Sequence, residues 1–333
     1  MAAGKFFRLL LTKAGKLFFS GQNKKCTVGR DIEINAYADK FYDVTEHFPL
    51  ESDDKIISAD GGKHFIVLCT QKGKVYAGGR VMWNAVSDEV RQNSENNEDY
   101  AFECRMNGNA EGFKAEKVWA CDWYGNFWIL AYKDEENGEK TYKTFCLGSD
   151  YDMVGCDDSD GAPKWRSPAL TDGRYFVDIA SQGMYMFGKD QTGALWEFGD
   201  HTQENVSSEG ENKMFKNHRS GSRRSCPYEL VWFSDHGKTV LKIACGKTIP
   251  FIYCRDNASG NTELYALSKP SEIATENRTG DNYKKVYGEG LVLLSEFANL
   301  DKELVDMAMS KNASFIVLKN KLSLPDGIKP NDP

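Results

Sequence analysis

The sequence predicts an all-β fold: a β-propeller of six or seven four-stranded blades with long inter-blade insertions. Three observations predict it. A hairpin-like unit recurs six times along the 333 residues. An Ala precedes five of the copies, at 59, 120, 180, 244 and 308, directly after an apolar residue in the last four, with steps of 61, 60, 64 and 64 residues. Further short apolar runs lie upstream of several copies and supply fourth strands. A period this long with four strands per unit is that of a propeller blade, since solenoid repeats are shorter.

The first copy runs from Phe6-Phe7-Arg8-Leu9-Leu10-Leu11 through Gly15 to Leu17-Phe18-Phe19-Ser20-Gly21. The second runs from Phe65-Ile66-Val67-Leu68 through Gly73 to Val75-Tyr76-Ala77-Gly78. Each has two arms of aliphatic and aromatic residues around a glycine that can take the positive φ of a tight turn. A longer third copy starts at Phe127-Trp128-Ile129-Leu130, turns at Asn137-Gly138 and returns over Thr144-Phe145-Cys146-Leu147. Met184-Tyr185-Met186-Phe187 opens the fourth, with its turn at Thr192-Gly193 and its return over Leu195-Trp196-Glu197-Phe198. Phe251-Ile252-Tyr253 opens the fifth, turning at Ser259-Gly260, and Phe315-Ile316-Val317-Leu318 opens a partial sixth. The small Ala before each hairpin suits the innermost strand, where blades crowd the axis.

Fourth strands are expected at Phe41–Val44, Tyr228–Phe233 and Gly290–Leu294, and helix only in insertions, within Ser87–Asn107 or Ser295–Leu304. One domain over residues 1–333 is expected, with insertions at about 81–117, 201–227 and 270–289 and a short tail at about 325–333. The first copy has no upstream strands and the last is weak after Leu318, so the ring is expected to have an irregular seam. An unpaired strand edge there would be a docking edge for another chain.

A net charge of -7 and a pI near 5.4 argue against a whole-molecule field that draws nucleic acid or anionic membrane. No stretch approaches the roughly twenty apolar residues of a membrane span. Nine cysteines without a CxxC pair read as buried or free thiols in a reducing, cytoplasmic setting, without a secretory leader.

Candidate chemistry is sparse. Gly237-Lys238-Thr239 and Gly246-Lys247-Thr248 lack the earlier glycine of a phosphate loop and read as turns. Asp157-Asp158-Ser159-Asp160-Gly161 lacks the distal Glu of a calcium loop and reads as a solvated inter-blade loop. The five histidines do not fall at metal-ligand spacing, and Trp119 and Trp128 sit at strand positions, where core packing explains them. No catalytic residue, cofactor site or metal site is expected. The densest positive charge is Lys216-Asn217-His218-Arg219-Ser220-Gly221-Ser222-Arg223-Arg224. Lys216, His218, Arg219, Arg223 and Arg224 are therefore the candidate contacts for an acidic partner such as a tubulin surface.

Ile57-Ser58-Ala59 through His64, Gly21-Gln22-Asn23 through Val28-Gly29, and Gly148-Ser149-Asp150 through Val154-Gly155 resemble the regulator of chromosome condensation repeat. The resemblance spans nearly the whole chain, although the Trp-Gly that closes the family's hairpin is absent from every copy. It implies a propeller that works without a catalytic triad. Two functions follow from it: a protein-protein interaction scaffold in a larger cytoplasmic assembly, cytoskeletal or ciliary, or guanine nucleotide exchange on a small GTPase. In the family's founding member, exchange uses a loop wedge and acidic surface contacts.

Overall fold

The computed structural model describes residues 2–4, 7–23, 40–79, 101–121, 125–148, 164–168, 170, 173–182, 185–200, 223–245, 250–267, 291–294, 302–309 and 314–320. They form six small antiparallel sheets that follow one another along the chain, each a propeller blade. Blade 1 holds β1 (Ala2–Ala3), β2 (Phe7–Leu11), β3 (Leu17–Gly21) and β4 (Tyr42–Asp43). Blade 2 holds β5 (Ile56–Gly61), β6 (Phe65–Thr70), β7 (Val75–Gly79) and β8 (Phe102–Glu103). Blade 3 has three strands, β9 (Lys114–Ala120), β10 (Phe127–Asp134) and β11 (Lys140–Leu147), with a bridge from Cys146 to Arg166 in place of a fourth. Blade 4 holds β12 (Phe176–Gln182), β13 (Tyr185–Asp190), β14 (Leu195–Asp200) and β15 (Arg223–Glu229). A single helical turn, α1 (Trp232–Asp235), links it to blade 5, which holds β16 (Lys238–Cys245), β17 (Pro250–Asp256), β18 (Thr262–Leu267) and β19 (Leu291–Leu293). Blade 6 shows β20 (Lys302–Met309) and β21 (Ser314–Asn320).

Several expectations are corrected. Blade 1 does have an upstream strand, since Ala2 and Ala3 lie opposite Leu9 and Arg8. Phe102–Glu103 and Lys302–Leu304, read as helix from sequence, are strand, because each completes a ladder that local propensity does not register. The fourth strand of blade 4 is Arg223–Glu229 and not Tyr228–Phe233. Past Glu229 the chain turns, and α1 buries Trp232 and Phe233 against Tyr265 of blade 5 with edge-on ring contacts at 5.7 Å each.

The core lies between blades. Five buried apolar clusters join blades 1 and 2, 2 and 3, 3 and 4, 4 and 5, and 5 and 6 in turn. Strand β6 illustrates why the second strands read as unbroken apolar runs. Phe65, Val67 and Cys69 face blade 3 while Ile66 and Leu68 face blade 1, so both faces are buried.

The first strands carry a repeated β-bulge. Ile57, Glu116, Val177, Leu241 and Val305 are each skipped in the ladder to the second strand. The bulge shows that the five alanines of the period are not one structural position. Ala180, Ala244 and Ala308 lie three residues past it, but Ala59 lies two past it and Ala120 four.

The second-to-third hairpins of blades 2 and 4 lock those blades to the next. The carbonyl of Gly73 accepts from Ala115 N–H of blade 3 at 2.9 Å, and that of Gly193 accepts from Val240 N–H of blade 5 at 3.0 Å. Gly73 has φ 84°, and a Cβ there would stand 2.8 Å from Lys114 Cα. Gly138 has a similar φ of 82° but open space around it, because the blade 3 hairpin is longer and its turn stands clear of blade 4. Gly73→Ala is expected to cost about 2–3 kcal/mol and Gly138→Ala about 1 kcal/mol, from left-handed strain with and without a backbone clash. Urea unfolding of the two variants checks this, and equal losses would refute the clash.

With its turn displaced, blade 3 reaches blade 4 through a side chain. Buried Thr144 accepts from Phe176 N–H at 2.7 Å through Oγ1. Thr144→Val leaves that buried N–H unpaired and is expected to cost about 1–3 kcal/mol, with Thr144→Ser close to the parent. Thermal unfolding of the pair measures the difference.

Candidate interaction face

Antiparallel pairing gives the two faces of the molecule different loops. First-to-second turns and third-to-fourth connections leave on one face; hairpin turns and blade-to-blade links leave on the other. On the first face the third strands of blades 1 to 5 end at Gly21, Gly79, Leu147, Asp200 and Leu267. The long insertions therefore interrupt blades between third and fourth strands, and are not inter-blade as the sequence suggested. Links between blades must stay short to keep neighbouring sheets packed, whereas a loop between the two outermost strands has solvent beside it.

Of the candidate contacts, Lys216, His218 and Arg219 lie outside the described residues, as does the acidic run 157–161. Arg223 and Arg224 open β15, opposite Asp200 and Gly199 at the edge of that face. The insertion thus ends at 222 and not at Pro227, which sits inside the outermost strand of its sheet, where proline is tolerated. By composition the neighbouring connections carry the opposite sign. Residues 80–100 hold five Asp and Glu against Arg80 and Arg91, and 149–163 hold five Asp with no Lys or Arg.

On the opposite face the blade 3 hairpin projects. Its turn carries Asp134, Glu135, Glu136 and Glu139, all exposed. Its flank is stiffened by Tyr132 and Tyr142 across the ladder at 6.0 Å, by Tyr142 stacked on Tyr175 at 5.3 Å, and by Lys140 3.8 Å above the Tyr132 ring.

The axis-facing edges of the first strands have no ladder partner on that side, and neighbouring blades satisfy them with side chains. Ser58 Oγ accepts from Val118 N–H at 3.2 Å and Asp60 Oδ2 accepts from Ala120 N–H at 2.8 Å. Ser181 Oγ donates to Ala120 O at 3.2 Å, Lys117 Nζ to Val177 O at 3.1 Å, and Lys189 Nζ to Leu241 O at 2.7 Å. Lys117 also pairs with Asp178 at 3.3 Å, and burial lowers the Lys189 ammonium below its usual range. Sequence reasoning missed this set. Its members are separated by 52 to 61 residues, and the eroded repeat puts different residue types at equivalent positions.

Burial pushes the Cys69 and Cys245 thiols up and the Cys254 thiol to about 12, so all three are protonated at neutral pH. Lys238 of the first Gly-Lys-Thr is paired with Asp256 at 3.2 Å and with Glu263, as befits a turn entering a strand. Trp119 and Trp128 are buried between blades 3 and 4. Among the described residues no helix is long and apolar enough to cross a membrane.

No protein-family model matches the sequence, and no curated protein matches it. Solved structures do match the fold. Human WBSCR16 superposes with a TM-score of 0.58 at 16% identity, over 96% of this chain and 86% of that one. Prp20p from Saccharomyces cerevisiae, described with its binding to Gsp1p and histones, gives 0.50 at 16% identity over 98% and 82%. Yeast RCC1 (Prp20) bound to Kap60 gives 0.51 at 16% identity over 98% and 80%. The chain thus has the β-propeller fold of regulator of chromosome condensation proteins. At this identity the likeness carries the fold alone.

Proposed function

We propose that this chain is a non-enzymatic protein-interaction propeller, a subunit of a larger cytoplasmic assembly that holds its partner on the face where the third strands end. The observation that carries the reading is topological: five blades open toward that one face at Gly21, Gly79, Leu147, Asp200 and Leu267. Support comes from Prp20p, whose binding to Gsp1p and histones is described, and from yeast RCC1 bound to Kap60. In this reading Lys216, His218, Arg219, Arg223 and Arg224 meet acidic groups of the partner, such as a tubulin surface or another subunit of a cytoskeletal or ciliary assembly. Affinity capture with the tagged full chain at about 0.15 M salt, where exposed charges are partly screened, tests it. A stable protein partner, lost on replacing those five residues by alanine, is expected; no partner, or one indifferent to the replacement, would sink the reading.

A second reading, guanine nucleotide exchange on a small GTPase, is favoured by the projecting acidic hairpin of blade 3, which suits a wedge with acidic contacts. Nucleotide release measured across a GTPase panel decides it. Acceleration that falls in Glu135→Ala/Glu136→Ala supports exchange, and no acceleration with any GTPase removes it.

A further inference from the structure

We propose that the open outer edge of β11 is a docking site for an extended acidic peptide, which adds to blade 3 as a fourth strand. The site lies on the side of the molecule, apart from the face of the long insertions. In blades 1, 2, 4 and 5 the chain after the fourth strand closes on the third strand near its start. Val44, Cys104, Leu230 and Leu294 N–H donate there to the carbonyls of Leu17, Val75, Leu195 and Leu264, at 2.7 to 2.9 Å. Among the described residues blade 3 stops short of this. Cys146 and Arg166 exchange both backbone bonds, at 2.7 and 3.0 Å, and that register puts Pro168 opposite Thr144. Proline has no N–H to give, so the Thr144 carbonyl accepts from Ser167 Oγ at 3.1 Å instead. Leu170 N–H donating to Pro168 O at 2.8 Å then turns the chain away.

Strand β11 is left uncovered on that side from Lys140 to Lys143. Cys146 points its backbone groups outward, so Tyr142 and Lys140, which share its place in the strand's alternation, do the same. Thr141 and Lys143 turn theirs inward to β10. Lys140, Thr141 and Lys143 are exposed and Tyr142 is half-buried. Among the described residues the outward N–H and C=O groups of Lys140 and Tyr142 have no partner. An edge in this state is a template for another strand.

The side chains specify the occupant. Tyr142 lies on the blade 4 side with Tyr132 and Tyr175, so an aromatic residue opposite it in an added strand extends that row. Lys143 lies on the other side, its Nζ 5.7 Å above the Phe113 ring, and Lys133, opposite Thr141, shares that side. Neither lysine has an acidic partner among the described residues. The two peptide residues that flank the aromatic one face these lysines, so the favoured pattern is acid, aromatic, acid. Glu135, Glu136 and Glu139 of the turn lie past Lys140 and favour peptide acids toward the Lys143 end. A second copy of this chain fits worse, because pairing two β11 edges through Tyr142 sets the two Lys143 side chains diagonally across one face.

The probe is the acetylated peptide Thr-Glu-Tyr-Glu-Thr, added to the full chain. Hydrogen exchange at the Lys140 and Tyr142 amides should slow by about tenfold or more with millimolar peptide, while Thr141 and Lys143, already bonded to β10, stay unchanged. Methylating the central peptide nitrogen removes the donor aimed at Tyr142 O and should weaken binding about tenfold. Lys133→Glu/Lys143→Glu should reverse the preference, losing this peptide and binding Thr-Lys-Tyr-Lys-Thr. No binding at millimolar peptide, binding that leaves the two amides exchanging freely, a methylated peptide as tight as its parent, or an unchanged preference in the double variant overturns the proposal. So does protection of the two amides by raising protein concentration alone, which would give the edge to a second copy.

Discussion

Trp128→Ala is expected to lower stability by about 3–5 kcal/mol, the range for deleting a fully buried aromatic side chain. Trp128 has no exposed surface and fills the space between blades 3 and 4. Its ring meets Phe198 of blade 4 edge-on at 5.2 Å and Phe176 at 6.2 Å, while those two phenylalanines stack on each other at 5.4 Å. Removing the indole leaves a void shared by two sheets. Neither blade can close it alone, because β10 is fixed on both sides by its ladders to β9 and β11. Among the described residues the indole N–H has no hydrogen-bond partner. Trp128→Phe therefore keeps most of the packing and removes an unpaired donor, for an expected cost under about 1.5 kcal/mol. Urea unfolding followed by circular dichroism compares them. Similar losses in the two variants would mean that the volume of the ring is not what matters.

Asp190→Ala should be comparably severe, at about 3–5 kcal/mol, because it strips the centre from a buried polar network. The Asp190 side chain has no exposed surface and is paired with Arg174 at 3.2 Å. Oδ1 accepts from Thr192 N–H at 2.8 Å, Thr192 Oγ1 at 2.7 Å and Ala194 N–H at 3.0 Å, closing the blade 4 hairpin turn. Oδ2 accepts from Trp196 Nε1 at 2.9 Å. Alanine would leave the Trp196 donor and the turn's N–H groups without their acceptor, and Arg174 with Glu229 alone, at 3.2 Å. Asp190→Asn retains an acceptor for the turn but weakens the Arg174 contact, and should fall between the parent and Asp190→Ala. Chemical denaturation of the three proteins gives the order, and an asparagine variant as unstable as the alanine one would shift the weight to the ion pair.

Asp190 also shows what the sequence makes legible. Thr12, Thr70, Asp190 and Asp256 each open a second-to-third turn of the repeat, and the side chains of Thr12, Asp190 and Asp256 bond the backbone of the turn they start. Turn opener, glycine and flanking apolar arms together make each hairpin readable from local chemistry alone. The fourth strands were only partly readable. Tyr42–Asp43 and Leu291–Leu293 fall within the expected runs, but Phe102–Glu103 has no local signal that separates it from the loop around it. The candidate contacts Arg223 and Arg224 stood out by charge, yet their place in a strand depends on the ladder to Gly199 and Asp200.

By itself the sequence determined the hairpins of blades 1 to 5 and their spacing, because a glycine turn between two apolar runs is a property of neighbouring residues. Only the tertiary structure decided on which face the insertions emerge, and that the spaced alanines occupy different positions past the bulge. It alone brought Ser58, Asp60, Thr144 and Lys189 onto the open backbone edges of the next blade. The reason is distance along the chain. These contacts join residues 32 to 60 positions apart, and a single bulged residue moves every later side chain to the other face of its strand.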